Sequence, residues 1–204
     1  MAKEIRLGDQ VVGKGHPTYI VAEIGINHNG DLNIAKRMIH AAQYAHVNAV
    51  KFQKRTPRIC VPLEEQKKMR ETPWGYMSYL EYRERVEFGE AEYREIDALC
   101  KELDIDWFAS VWDEEAVDFL EVFNPIAYKV PSASLTDHDL LTKLLRTGRP
   151  IILSTGMSTM DQIREAVGRI GDMDRLLITH STSAYPCNPD ELNLRMIPTL
   201  DAAF

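Results

Sequence analysis

Short apolar runs alternate along the chain with longer segments whose apolar residues recur at helical spacing. Tyr19–Ile24, Asn48–Gln53, Asp106–Val111, Ile126–Val130, Pro150–Ser154 and Arg175–His180 read as strands. Leu32–Ala45, Glu90–Leu103, Glu114–Val122, His138–Arg146 and Thr159–Ile170 read as the helices between them. Arg55–Thr72 reads as irregular, with Pro57, Pro62 and Pro73 as breakers, and Gly75–Arg85 as a helix. A last helix is expected near Leu192–Phe204. At the start, Glu4–Leu7 and Gln10–Gly13 flank Gly8-Asp9 as a hairpin. Strand, helix, strand in series means a parallel sheet and the α/β class, either doubly wound or a TIM barrel. A closed (β/α) barrel has eight units and about 250 residues. The expectation is therefore an incomplete TIM barrel of about six βα units, one partial domain over residues 1–204, truncated after its sixth strand. An open parallel sheet would leave strand edges unpaired.

Composition narrows the class. Hydrophobic residues are 45% and charged residues 27%, a soluble globular balance. The net charge of −7 opposes a general nucleic-acid surface, so an anionic substrate needs local cations. Cys60, Cys100 and Cys187 form no CxxC, which suggests neither a disulfide framework nor a zinc site and fits a reducing cytoplasm. The N-terminus carries Lys3, Glu4, Arg6 and Asp9 and lacks the apolar region of a signal peptide. No apolar run approaches the ~18 residues of a membrane span.

In either βα architecture, functional side chains gather at the carboxyl ends of strands. Those ends are polar here: Glu23–Asn29, Lys51–Gln53, Ser110, Lys129–Ser134, Ser154–Met157 and His180–Tyr185. Alternation puts Val21, Glu23 and Gly25 on one face, and Ala49, Lys51 and Gln53 on one face. A lysine inside an apolar strand is costly unless it meets an anion. Two of them, Lys51 and Lys129, with serines beside them, point to a small polyanionic ligand. A plainer reading keeps Glu23 and Lys51 as a structural ion pair. His28 reads as a loop or helix-entry residue, and His40 and His46 lack metal-ligand spacing. His180 is open between a core residue and a site residue. Trp74, Tyr76, Tyr79 and Tyr82 read as packing, and Glu81–Glu95 as a solvated helical face.

AEIGINHNGD at Ala22–Asp31, VKFQ at Val50–Gln53, YKVPSAS at Tyr128–Ser134, PIILSTGMST at Pro150–Thr159 and HSTSAYP at His180–Pro186 resemble the N-acetylneuraminate (sialic acid) synthases and their legionaminic and pseudaminic acid relatives. The resemblance implies a TIM barrel followed by an antifreeze-like domain that these 204 residues do not contain. It implies condensation of phosphoenolpyruvate with an open-chain N-acetylated aminosugar such as N-acetylmannosamine, giving a nonulosonic acid and phosphate. Lys51 and Lys129 would hold phosphoenolpyruvate, with Ser110, Ser132 and Ser154 adding hydroxyls, while Glu23, Gln53 and Tyr185 would face the sugar. Ser134 and Ser183 complete the substrate-binding set, although some members carry an acidic residue at the first position and asparagine at the second. A divalent metal, manganese or magnesium, is implied as well, but no histidine here matches the family's ligands. A cytoplasmic homodimer is expected. The rival readings are a non-catalytic truncated barrel that binds anions or a partner, and an aldolase forming a Schiff base on Lys51 or Lys129.

Overall fold

A computed structural model describes residues 4–204, so Lys3 and the rest of Met1–Lys3 lie outside the described residues. The chain divides into two compact units, Pro17–Ile126 and Met1–His16 with Ala127–Phe204. The N-terminal hairpin pairs β1 (Glu4–Leu7) with β2 (Gln10–Gly13), turning at the expected Gly8-Asp9, and buries Ile5 and Leu7.

The Pro17–Ile126 unit opens with β3 (Val21–Gly25) and α1 (Leu32–Tyr44). Asp31 starts α1 by accepting from Asn33 and Ile34 N–H, which offsets two of the four orphan donors of a helix start. β4 (Ala49–Lys54) follows, then two short helices, α2 (Pro57–Cys60) and α3 (Leu63–Gln66). A small hairpin of β5 (Met69–Thr72) and β6 (Gly75–Ser78) leads into α4 (Tyr79–Val86) and α5 (Glu90–Glu102). The unit ends with β7 (Asp106–Val111) and α6 (Glu114–Glu121). Strands β3, β4 and β7 pair in parallel, in that order. Ala35 and Ile39 of α1, Tyr93 and Ile96 of α5 and Val117 and Leu120 of α6 are buried, as are Val50, Phe52 and Phe108 from the strands. Each large apolar side chain so buried contributes roughly 1.5–3 kcal/mol.

Two expectations change here. Arg55–Thr72 is not irregular throughout, since it holds α2, α3 and β5. The helix expected from Gly75 starts at Tyr79, because Gly75–Ser78 is a strand. Ser78 and Glu81 form a capping box that sets this start.

The second unit continues from its hairpin with β8 (Tyr128–Val130), α7 (His138–Thr147), β9 (Ile151–Ser154), α8 (Met160–Ile170), β10 (Leu176–Thr179) and α9 (Met196–Ala203). β8, β9 and β10 pair in parallel. α7 buries Leu140, Leu141 and Leu144, and α8 buries Ile163, Ala166, Val167 and Ile170, the stripes of amphipathic helices covering a sheet. Among the described residues, no helix is long and apolar enough to cross a membrane.

Candidate active site

Four of the expected site residues meet at the carboxyl ends of β3, β4 and β7. Register sets Glu23 beside Lys51, and Gln53 beside Ser110. Lys51 is buried, at 4% exposure, and its ammonium has three partners. It lies 2.7 Å from Glu23 Oε2 and donates to Ser110 Oγ at 2.8 Å and to the Phe52 carbonyl at 3.2 Å. An ammonium has three N–H donors, so each has an acceptor. Burial pulls the Lys51 pKa below the usual lysine value, and Glu23 opposes that pull. Glu23 is 54% exposed, so its carboxylate is half in water and can leave the ammonium to an incoming anion.

An irregularity between Glu23 and Gly25 shifts the β3–β4 register, bringing Gly25 rather than Ile24 opposite Phe52. Gly25 has φ +56, and a Cβ there would stand 2.9 Å from Glu23 Oε1 and 3.4 Å from Gln53 Nε2. Both the backbone and the space therefore call for glycine. Behind this group, His28 stacks on Phe88 with centroids 4.0 Å apart, and its Nδ1 accepts from Gly30 N–H at 3.1 Å. Burial pushes the His28 pKa down to about 4. It holds the loop rather than a ligand. Tyr76, expected within the aromatic packing, is 71% exposed, whereas Tyr82 lies near both Trp74 and Tyr79.

The other unit carries a chain of hydroxyls. Ser132 Oγ donates to Ser154 Oγ at 3.0 Å, and Ser154 Oγ shares a hydrogen bond of 2.7 Å with Ser181 Oγ. Gly156 N–H donates to Ser132 Oγ at 3.1 Å. A Cβ on Gly156 would fall 2.5 Å from Ser183 Oγ and 2.7 Å from Ser132 Oγ, so the glycine lets these hydroxyls converge on backbone. Lys129 pairs with Ile152 in register, which puts its side chain on the face that carries Ser154. Ser134 is buried in the turn of 3₁₀ helix that follows β8. Tyr185 is 96% exposed, and His180 Nε2 bonds the Leu192 carbonyl at 2.7 Å.

Ser181 and Gly156 fall within the polar strand ends His180–Tyr185 and Ser154–Met157, but the sequence alone gives neither of them a role of its own. Sequence reasoning missed the buried Arg55 and the Glu87 carboxylate, whose side chain is 8% exposed, 32 residues apart in sequence. For the implied metal, the described residues contain no group of three or more His, Cys, Asp or Glu side chains able to hold one, so they do not fit it.

The NeuB family model matches residues 38–204. N-acetylneuraminate-9-phosphate synthase of Homo sapiens is 36% identical over 200 residues, covering 95% of this chain and 54% of that protein. N,N'-diacetyllegionaminic acid synthase of Campylobacter jejuni is 31% identical, over 92% of this chain and 58% of that one. This chain thus spans little more than half the length of these curated relatives. The crystal structure of N-acetylneuraminic acid (sialic acid) synthetase from Leptospira borgpetersenii superposes on all of this chain and 68% of its own, with a TM-score of 0.89 and 29% identity. The fold class is accordingly the expected α/β one of TIM-barrel type, with six parallel strands described. From these matches, the chain belongs to the NeuB family.

Proposed function

We propose that this protein condenses phosphoenolpyruvate with an open-chain N-acetylated aminosugar, giving a nonulosonic acid and phosphate. The observation that carries this reading is Lys51, buried within β4 with its ammonium between Glu23 and Ser110. The names of the relatives, synthases of sialic and legionaminic acids, support the substrate class. Carbon 3 of phosphoenolpyruvate adds to the sugar aldehyde, water adds at carbon 2, and phosphate leaves by C–O cleavage. Lys51 opposes the negative charge of phosphoenolpyruvate, and Ser110 orients the ammonium. Lys129, Ser132, Ser154 and Ser183 are assigned to the same substrate. Glu23 and Gln53 are assigned to the sugar side, with the Glu23 carboxylate holding the proton of a hydroxyl or water. Fixed charges in a water-poor pocket are a large source of barrier lowering.

Calorimetric titration with phosphoenolpyruvate tests the reading. One charge-assisted contact is worth about 1.5–3 kcal/mol, so Lys51→Met should weaken binding roughly 10- to 150-fold. Unchanged affinity in a folded variant would refute the assignment. Borohydride in the presence of pyruvate should leave Lys51 unmodified; a trapped adduct there would favour an aldolase instead.

A further inference from the structure

Strands β8, β9 and β10 lie side by side, and each supplies one hydroxyl at or just beyond its carboxyl end: Ser132, Ser154 and Ser181. Thr179, the last residue of β10, is level with Ser154. Its carbonyl accepts from Thr155 N–H at 3.1 Å and from Thr155 Oγ1 at 2.9 Å, which ties the end of β9 to the end of β10. Ser181 reaches back to Ser154 from that fixed spacing. Ser154 is 2% exposed, and its Oγ lies between Ser132 Oγ at 3.0 Å and Ser181 Oγ at 2.7 Å. The Lys129 side chain shares the face of Ser154, so an anion drawn to it meets this row.

Counting hydrogens gives the three serines different parts. A hydroxyl has one hydrogen to give and two lone pairs to accept with. Gly156 N–H already enters Ser132 Oγ. Ser132 gives its hydrogen to Ser154, so Ser154 gives its own to Ser181. The two hydroxyls assigned to phosphoenolpyruvate are then spent within the row, and Ser181 holds the one uncommitted hydrogen. An anion needs donors, and the row supplies them by reversing. Ser181 turns its hydrogen onto Ser154 Oγ, and Ser132 and Ser154 turn theirs outward. Only hydroxyl rotation is required, because the Ser154–Ser181 contact serves either direction. The neighbouring hydroxyls cannot substitute, since Thr155 donates to the Thr179 carbonyl and Thr179 to the Leu153 carbonyl.

We propose that Ser181 is a positioning residue for anion capture, donating to Ser154 Oγ in the bound state and so freeing the Ser132 and Ser154 hydrogens for the anion. It acts through Ser154 and does not itself touch the substrate. The inference rests on the proposed synthase reading for the identity of that anion, phosphoenolpyruvate. A hydroxyl that donates to an anion becomes a better acceptor, so the Ser181–Ser154 bond is stronger with ligand than without. Only such a difference between the two states contributes to affinity.

The test is calorimetry on the full chain with phosphoenolpyruvate and, separately, inorganic phosphate, at a temperature where circular dichroism shows each variant folded. Ser181→Ala should weaken phosphoenolpyruvate binding about fivefold, the worth of one hydrogen bond. Ser181→Thr, which restores the hydroxyl, should bind within about twofold of the wild type. In a Ser154→Ala background, Ser181→Ala should change affinity by less than about twofold, because the hydroxyl it acts through is gone. If Ser181→Ala does not fold, Ser181→Cys carries the same comparisons with its weak S–H donor. Unchanged affinity in the folded variant, no rescue by threonine, or an equal loss in both backgrounds, as a merely structural role would give, would each overturn the proposal. A wild type that binds inorganic phosphate but not phosphoenolpyruvate would sink the synthase reading, and the same comparisons made with phosphate would still decide the part of Ser181. Binding of neither would overturn both.

Discussion

Gly156 offers a sharp test of the hydroxyl chain. Its N–H donates to Ser132 Oγ at 3.1 Å, and a methyl group on it would meet Ser183 Oγ at 2.5 Å, Ser132 Oγ at 2.7 Å and the Ser181 carbonyl at 3.1 Å. Gly156→Ala therefore forces two serines to rotate, and Ser132 cannot then keep both Gly156 and Ser154 as partners. Overpacking costs about 1–3 kcal/mol. Each hydrogen bond lost from the chain adds about 1 kcal/mol. The restricted unfolded chain returns about 0.4–1 kcal/mol. The net loss should be about 2–3 kcal/mol, with weaker phosphoenolpyruvate binding because the hydroxyls no longer converge. Gly168, exposed on α8 with nothing within 4 Å of a built Cβ, is the control. Gly168→Ala should stabilise by about 0.5–1 kcal/mol through helix propensity alone. Urea denaturation followed by circular dichroism, with calorimetry for the ligand, separates the two. If Gly156→Ala were as stable as Gly168→Ala and bound phosphoenolpyruvate like the wild type, the reasoning would fail.

Two further outcomes follow from buried polar groups. His28 is held neutral down to about pH 4, while the unfolded chain titrates near the ordinary 6.5. Its contribution to stability is thus complete above 6.5 and lost as pH falls towards 4. Glu87, raised from 4.5 to about 7, works in the opposite direction across that window in wild type and variant alike. His28→Gln should therefore lose less stability than the wild type between pH 7 and pH 4.5, and equal losses in urea midpoints would refute this. Asp113 is buried and accepts from Thr56 N–H, Thr56 Oγ1, Cys60 Sγ and Ala116 N–H, so it anchors α2 and caps α6 together. Asp113→Ala should cost roughly 2–4 kcal/mol by leaving these donors unpaired, and a denaturation midpoint within error of the wild type would contradict it.

The main strands were legible because each is a short apolar run closed by polar residues. β7 falls on Asp106–Val111 as read, and α1 begins where Asp31 can cap it. Glu23, Lys51, Gln53 and Ser110 were legible for the same reason, since alternation and strand ends place them together before any coordinate is known. The segment from Arg55 to Ser78 was not. β5 and β6 are largely exposed, so neither shows the one-sided alternation that marks a half-buried strand. Gly75, at φ +98, marks the turn of that hairpin, where local spacing alone suggests a helix start. Arg55, Arg83 and Glu87 escaped notice because their meeting depends on how α4 returns to β4, and no local spacing encodes that.

Lys51 also bears on how the chain finds its strand alignment. Phe52 faces Tyr93 of α5 at 6.2 Å, so the helix-covered side of β4 is aromatic and dry. A slip of β4 by one residue would exchange the two faces, driving the ammonium among aromatic rings and bringing Phe52 beside Glu23. Apolar residues of similar size tolerate such slips, but a charge does not, and the error would cost several kcal/mol. The residue proposed to oppose the charge of phosphoenolpyruvate would thus also act as a proofreading mark for the sheet. A redesign that removed the lysine to quiet the chemistry would lose that discrimination between neighbouring registers.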